Sequence, residues 1–202
     1  MKKTALLCFL AAHGTVMAKN EPKKKVMILT SAGGGGQVSF NKALNQTLKD
    51  DYSITSVLYF SRILNAVDPV SLMTFGNYTG EDVYNYFQKK RSFLFLQSTY
   101  ELSRWYYYFF SNTLIKKTTA FLEKQKPNLV VYIIPIVNDI IAKSCNNLDI
   151  PFLIIPPDLD TGFYTKDMRP PYSKNLYVAL PFDNEMSRKS MAAADIPDAN
   201  IF

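Results

Sequence analysis

The sequence has 202 residues, of which 48% are hydrophobic, enough for one compact domain with a buried core. Its net charge of +6 comes mostly from residues 1–25, with six lysines and one glutamate, and the nearly neutral remainder argues against a nucleic-acid partner. The only histidine is His13, so the rest of the chain can form neither a Ser-His-Asp nor a Cys-His site and lacks the commonest ligand for zinc or copper.

The first residues have the pattern of a secretory signal. Lys2 and Lys3 precede a mostly apolar run at 4–17, and Val16-Met17-Ala18 offers a cleavage site after Ala18. The run is too short to anchor the chain as a membrane span. We therefore predict a signal peptide at 1–18, a basic linker at 19–24 and export to the periplasm or the medium. An uncleaved, membrane-associated N-terminus is the alternative.

Residues 25–48 predict a strand, a glycine-rich loop and a helix. Val26–Thr30 is a short apolar run, and Ser31–Gly36 can turn tightly because glycine accepts either sign of φ. The helix is indicated by residues spaced along one face: Phe40, Ala43, Leu44, Thr47 and Leu48. Backbone N–H groups of this loop could approach a phosphate or a lipid head group, since the helix dipole favours an anion. An ordinary glycine-rich turn is the alternative, because neither common phosphate-loop motif fits.

Aromatic residues are concentrated between residues 81 and 126, in a region predicted to be helical. The region includes six consecutive aromatic residues at 105–110 and carries the basic run Lys89-Lys90-Arg91. Aromatic rings with polar edges beside cations suit the water–lipid interface of an anionic membrane. A core helix with an aromatic stripe is the alternative, although six consecutive rings cannot all face inward on one helix.

The second half alternates strands and helices. Buried strands are predicted at 129–134, 150–155 and 175–180, after an earlier strand at 52–60. Helices are predicted at 138–146 and at 184–194, the latter capped by Asp183. This alternation indicates one α/β domain with a largely parallel sheet.

Ligands of parallel sheets gather at the carboxyl ends of the strands. Here those ends are the glycine loop, the Pro135–Asp139 turn and the segment Pro156–Thr161, so three loops could form one cleft. Asp158 and Asp160 are the carboxylates best placed there for acid–base chemistry or for holding a sugar hydroxyl. Ordinary turn chemistry after two prolines is the alternative interpretation.

Four ordered blocks give the chain a resemblance to a known family. They read VMILTSAGGGGQ, KPNLVVYIIPIVND, IPFLIIPPDLDT and KNLYVALPFDNEMSRKSMAAADIPDANIF. Over residues 24–202 the chain resembles the N-terminal domain of monogalactosyldiacylglycerol synthases and processive diacylglycerol glucosyltransferases. The resemblance implies a Rossmann-like parallel sheet with flanking helices, the N-terminal half of a GT-B glycosyltransferase. It also implies inverting hexosyl transfer to a diacylglycerol-type membrane lipid, with no bound metal or other cofactor, the nucleotide sugar being a substrate of a second domain.

The strand-end argument, the aromatic and basic region and the resemblance together give three sets of candidate residues. Catalysis is assigned to Asp158 and Gln37. The acceptor cleft is assigned to Gly33, Gly34, Gly35, Gly36, Pro135 and Asp160. Membrane contact is assigned to Trp105, Tyr106, Tyr107, Tyr108, Lys89, Lys90 and Arg91.

The chain departs from the family's pattern in two respects. The family's glycine loop ends in a histidine that helps to deprotonate the acceptor hydroxyl, whereas Gln37 stands there in this chain. A neutral amide forms hydrogen bonds but does not take up that proton near neutral pH. The sequence also stops close to where an interdomain linker would begin, so we expect it to lack the donor-sugar domain.

The sequence therefore predicts a glycosyltransferase N-terminal domain of glycolipid synthesis, bound to a membrane lipid and inactive alone. A separately encoded donor-domain chain would be its partner. An export signal would conflict with this function, because nucleotide sugars are normally cytosolic. The alternative is an exported, non-catalytic lipid- or sugar-binding protein that kept the fold.

Overall fold

The computed structural model describes residues 22–33, 35–158, 160–172 and 174–202. The predicted signal peptide, residues 19–21 of the predicted linker, and Gly34 lie outside this part of the chain. The strands of the described part are β1 Lys25–Thr30, β2 Ser53–Leu58, β3 Leu129–Tyr132, β4 Phe152–Ile154 and β5 Leu176–Val178. They form one sheet in the order β2-β1-β3-β4-β5, and every pair of neighbours is parallel.

Helices join these strands. The α-helices of the described residues are α1 Gly35–Leu48, α2 Tyr59–Arg62, α3 Pro69–Met73, α4 Gly80–Lys89, α5 Phe93–Phe109, α6 Ser111–Gln125, α7 Asn138–Asn147, α8 Gly162–Thr165 and α9 Glu185–Ala193. Short 3-10 turns lie at Leu64–Val67 and Asp198–Asn200. A parallel sheet with flanking helices confirms the predicted α/β, Rossmann-like fold.

The sheet is buried except along β2. All residues of β3, β4 and β5 are buried, as are Val26–Thr30 of β1. Parallel strands need this coverage on both faces, which explains why they read as continuous apolar runs. In β2 only Val57 is buried, as befits a strand at the edge of a sheet.

The strand order reverses between β1 and β3, which are neighbours although β2 lies between them in sequence. The chain leaves β1 towards β2 on one side, whereas the connections after β3 lead towards β4 and β5 on the other. The loops that follow β1 and β3 therefore diverge and leave a crevice at the carboxyl edge of the sheet.

Two details of the helix predictions are corrected by the structure. In α1 Leu44 and Leu48 are buried and Phe40 is half-buried, but Ala43 and Thr47 are exposed, so the apolar face is narrower than the spacing indicated. In α9 the N-cap is Asn184, whose Oδ1 accepts a hydrogen bond from Ser187 N at 2.9 Å. The predicted cap, Asp183, instead pairs with Arg188, with 2.7 Å between Oδ1 and Nε.

The aromatic region, which was predicted to be helical, forms three helices, α4, α5 and α6. The break between α4 and α5 lies at Arg91, which has a positive φ of 53°. Among the described residues, no helix combines the length and apolar character that crossing a membrane requires.

Candidate functional site

A cleft of about 560 Å³ opens where the strand order reverses. One side of it is formed by the carboxyl ends of β1, β3 and β4, represented by Ser31, Pro135 and Asp158. The other side is formed by α4 and α5, represented by Glu81 and Tyr100. The three loops that the sequence predicted to converge therefore line one cleft.

The glycine loop is closed from the opposite side of the cleft by Glu81. Gly33 N–H lies 2.8 Å from Ser31 Oγ and 2.6 Å from Glu81 Oε1, and the Ser31 hydroxyl also donates to Glu81 Oε1. A Cβ on Gly33 would lie 3.1 Å from Ser31 Oγ and 3.3 Å from Glu81 Cγ. A Cβ here would require the Ser31 and Glu81 side chains to move by a few tenths of an ångström, because both distances are shorter than ordinary van der Waals contacts.

The start of α4 is held in place by two carboxylates, and this positions Glu81. Thr79 and Asp82 form a capping box, in which each side chain accepts a hydrogen bond from the backbone of the other. Asp68 is buried and caps α3, accepting from Val70 N at 2.9 Å. The second oxygen of Asp68 accepts from Gly80 N at 2.7 Å, so one side chain joins the first turns of α3 and α4.

Asp158 receives a hydrogen bond from a tyrosine of α8. The hydroxyl of Tyr164 donates to Asp158 Oδ2 at 2.8 Å. Burial, followed by the charge of Asp158, raises the pKa of Tyr164 well above its ordinary value, so this phenol remains a donor at every physiological pH. The pKa of Tyr84, which lines the cleft, is raised for the same two reasons.

Gln37 lies in the first turn of α1 and lines the cleft. Its Oε1 is buried and has no hydrogen-bond partner within the described part of the chain. Buried amide oxygens are normally paired, so this atom is available to a donor brought by a ligand. The amide can orient such a group but does not accept its proton.

The other residues assigned to the cleft divide into two groups. Gly36 and Pro135 line it, and the carbonyl of Pro135 accepts a hydrogen bond from Tyr100 at 3.3 Å. Gly35 and Asp160 are absent from the described lining, and Asp160 Oδ1 accepts from Gly162 N at 3.0 Å within its own turn. Gly34 lies outside the described residues.

Helix α5 has two different faces. Thr99, Tyr100, Ser103 and Tyr107 face the cleft, and Tyr107 is 6% exposed. The opposite side, which we call the outer face of α5, consists of Leu94, Leu102, Trp105 and Phe109, each at least 67% exposed. The helical period of 3.6 residues separates these two sets although they alternate in sequence.

The residues assigned to membrane contact accordingly separate. Trp105 is on the outer face, Tyr108 is exposed beside it and Tyr106 is half-buried, whereas Tyr107 points into the cleft. The basic run Lys89-Lys90-Arg91 is exposed at the turn between α4 and α5. Phe93 and Phe95 are also exposed, so cations and apolar side chains share that end of α5.

A network of charges fastens α5 to the segment around α8. Arg104 pairs with Asp167 and with Glu101, whose Oε2 lies 2.6 Å from Arg104 Nη1. Glu101 also pairs with Lys166 at 2.8 Å. Tyr100 donates to the carbonyl of Phe163 at 3.3 Å. The cleft face of α5 is therefore fixed relative to the loop that carries Asp158.

The described lining of the cleft combines two carboxylates with apolar side chains. Its carboxylates are Glu81 and Asp158, and none of its described lining residues is Lys, Arg or His. Its largest aliphatic and phenylalanine side chains are Phe40, Phe60, Ile134 and Ile136. No group of three or more potential metal ligands occurs within the described ranges. This composition suits an amphiphilic ligand that has both uncharged hydroxyl groups and apolar groups.

Four residues of the site were not singled out from the sequence: Ser31, Glu81, Tyr100 and Tyr164. The sequence does show Glu81 as an acidic residue in the first turn of a capped helix. Such residues are common and most of them only stabilise their own helix, so this pattern did not indicate a role in the cleft. Its contact with Gly33 joins residues 48 positions apart and follows only from the packing of α4 over the sheet edge.

The chain matches no protein-family model and no curated protein at a significant level. Its function therefore has to be argued from the cleft itself.

Proposed function

We propose that this chain is the acceptor-binding N-terminal domain of a glycolipid-synthesising glycosyltransferase. It takes a diacylglycerol-type lipid from a membrane surface into the cleft, and a donor-sugar domain completes the enzyme. This is the activity that the resemblance to diacylglycerol glycosyltransferases implies.

The observation that carries the proposal is the two-faced helix α5. Its outer face presents four large apolar side chains to the surroundings, which an ordinary surface helix does not do. Its other face lines the cleft through Tyr100, Ser103 and Tyr107. A helix lying in the membrane interface along its outer face would hold the cleft one helix diameter, roughly 10 Å, from the lipid head groups.

The basic run at the end of α4 supports the same orientation. Lys89, Lys90 and Arg91 are exposed next to Phe93 and Leu94, so cations would meet anionic head groups while the rings enter the interface. Each such cation contributes about 1 kcal/mol near an anionic membrane. This electrostatic attraction decays within a Debye length of the membrane surface, so only cations close to the membrane contribute to it. The rest of the chain therefore need not be basic.

The chemistry of the cleft suits a glycerol hydroxyl. Asp158 is held by Tyr164, and its Oδ1 makes no hydrogen bond within the described residues. A carboxylate in this state can accept the proton of an acceptor hydroxyl as its oxygen attacks a sugar, and Gln37 can orient the same hydroxyl. The apolar walls formed by Phe40, Phe60 and Ile136 would contact the acyl chains.

The proposal is tested by flotation with liposomes. Replacing Trp105 and Phe109 by Ser removes two large exposed rings from the outer face of α5, each 68% or more exposed. Burial of one such side chain contributes about 1.5–3 kcal/mol, so binding to liposomes with diacylglycerol should weaken about tenfold or more. The control is Phe182→Ser, because Phe182 is 57% exposed and lies in the segment between β5 and α9 rather than on α5. Equal binding by the wild type and the double variant would refute the outer face as the membrane contact.

Gln37 favours a second candidate, an exported lipid- or sugar-binding protein without catalysis. The amide stands where the related enzymes have a base, and its buried oxygen is unpaired in the described structure. The mass and cell fraction of the natural protein separate the two candidates. A longer product on the cytosolic side of a membrane favours the transferase, whereas a chain cleaved after Ala18 and found outside the cytosol favours the binding protein.

A further inference from the structure

The backbone of the glycine loop that could approach an anion is in contact with the protein's own carboxylate. Gly33 N–H, the one N–H of this loop with a described partner, donates to Glu81 Oε1 at 2.6 Å and to Ser31 Oγ. Glu81 reaches the loop from the first turn of α4, on the far side of the cleft. An acid here fills the place that a phosphate oxygen of a ligand would need.

Space beside the glycine loop and the charge of the cleft lining both oppose a second anion. The side chain of Glu81 lies against Gly33 so closely that a Cβ on Gly33 would be 3.3 Å from its Cγ and Oε1. Asp158 adds a second carboxylate to the lining, and no described lining residue is a cation. Like charges brought together in a partly desolvated site repel each other more strongly than in bulk water, because little water or salt screens them.

The same carboxylate is well suited to an uncharged hydroxyl. Glu81 Oε2 makes no hydrogen bond within the described residues, and the capping box and Asp68 hold the first turn of α4 in place. A carboxylate oxygen accepts a hydrogen bond from a hydroxyl more strongly than a neutral oxygen does.

We propose that Glu81 determines the specificity of the cleft, admitting a head group with uncharged hydroxyls and rejecting one that carries a phosphate. The nature of the preferred lipid rests on the proposed function. The discrimination itself follows from Glu81, Gly33 and Asp158, and it applies to any amphiphile that enters the cleft.

The test compares Glu81→Gln with the wild type. Glutamine keeps an acceptor for Gly33 N–H and the Ser31 hydroxyl, so the substitution removes the charge and leaves the loop closed. Glu123→Gln is the matched control, because it removes the same charge from an exposed position on α6 that does not line the cleft. Two pairs of probes are titrated by calorimetry: dioctanoylglycerol against dioctanoyl phosphatidate, and octyl glucoside against octyl phosphate.

The wild type should bind each neutral probe about tenfold or more tightly than its phosphate counterpart, a ratio that corresponds to about 1.4 kcal/mol. Glu81→Gln should reduce this ratio about fivefold, by strengthening phosphate binding and weakening hydroxyl binding, while Glu123→Gln should leave it unchanged. An unchanged ratio in Glu81→Gln would overturn the inference, as would a wild type that prefers phosphate or binds no probe.

The second pair of probes separates this inference from the proposed function. If the octyl pair shows the discrimination and dioctanoylglycerol does not bind, the diacylglycerol function fails and the role of Glu81 stands. If dioctanoylglycerol binds and Glu81→Gln leaves both ratios unchanged, the role of Glu81 fails and the proposed function stands.

Discussion

Asp68 joins the first turns of two helices, and its removal should be among the most destabilising single changes near the cleft. It is 4% exposed and accepts hydrogen bonds from Val70 N at 2.9 Å, Ser71 N at 3.3 Å and Gly80 N at 2.7 Å. Asp68→Ala removes the N-cap of α3, at a cost of about 1 kcal/mol. It also leaves Gly80 N–H unpaired, which costs a further 1–3 kcal/mol, roughly. The free energy of unfolding should therefore fall by about 2–4 kcal/mol.

Asp68→Asn divides this effect into its two parts. The oxygen of the Asn side chain can still cap α3, but its NH₂ group would then face Gly80 N–H. Both of these groups are donors, so no hydrogen bond forms between them. We expect a loss of about 1–2 kcal/mol, intermediate between wild type and Asp68→Ala. Urea denaturation followed by far-ultraviolet circular dichroism measures both values. The slope of the free energy of unfolding against urea concentration should be the same for the variants as for the wild type.

Asp50→Ala is the control for these variants, since Asp50 is exposed and makes no hydrogen bond in the described structure. Its effect should stay within about 0.5 kcal/mol. The reasoning would be refuted if Asp68→Ala cost as little as this control, or if Asp68→Asn were as unstable as Asp68→Ala.

Two further predictions concern the glycine loop and the buried tyrosines. Gly33→Ala should lower the free energy of unfolding by about 1 kcal/mol or more, because its Cβ would lie 3.1 Å from Ser31 Oγ, whereas Gly35→Ala, with nothing within 4 Å, should change it by less than about 0.5 kcal/mol in the same urea titration. Equal effects of the two would contradict the contact described at Gly33. The raised pKa values of Tyr59, Tyr132 and Tyr164 mean that the unfolded chain releases these phenolic protons near the ordinary value of 10.0 while the folded chain keeps them. The contribution of these protonated phenols to the free energy of unfolding should therefore be fully present below pH 10 and should decrease as the pH rises above it. Absorbance of tyrosinate from these residues should appear only when the chain unfolds. Their full ionisation in the folded protein at pH 10–11 would show that they are not buried.

The fold was readable from the sequence because its signals are local. The runs at 26–30 and 129–134 are continuous and apolar, as strands covered on both faces must be, and the helices between them indicated a parallel sheet. The convergence of the glycine loop, Pro135 and Asp158 also followed, since the carboxyl ends of parallel strands share one edge. The boundaries were less accurate: the strand predicted at 52–60 ends at Leu58, and α2 begins at Tyr59.

Asp160 and Tyr107 show where that reasoning stopped. Asp160 has the same chemistry as Asp158 two residues earlier, but its carboxylate is used by the turn at Gly162. Tyr107 lies between Tyr106 and Tyr108 in an aromatic run, and it lines the cleft because of the side on which α5 packs against the rest of the protein. Sequence spacing gives the relative angle of such residues and leaves open which angle faces the protein.

The sequence by itself determined the strands, the order of the loops at the sheet edge and the concentration of aromatic residues in one helical region. These follow from short-range periodicity and turn chemistry, which act over a few residues. Tertiary structure alone decided that Glu81 closes the glycine loop, that Tyr164 holds Asp158 and that α5 offers one face to the cleft and the other to its surroundings. The physical reason is that a hydrogen bond between residues 48 positions apart depends on how helices pack over the sheet, and no local pattern records that packing.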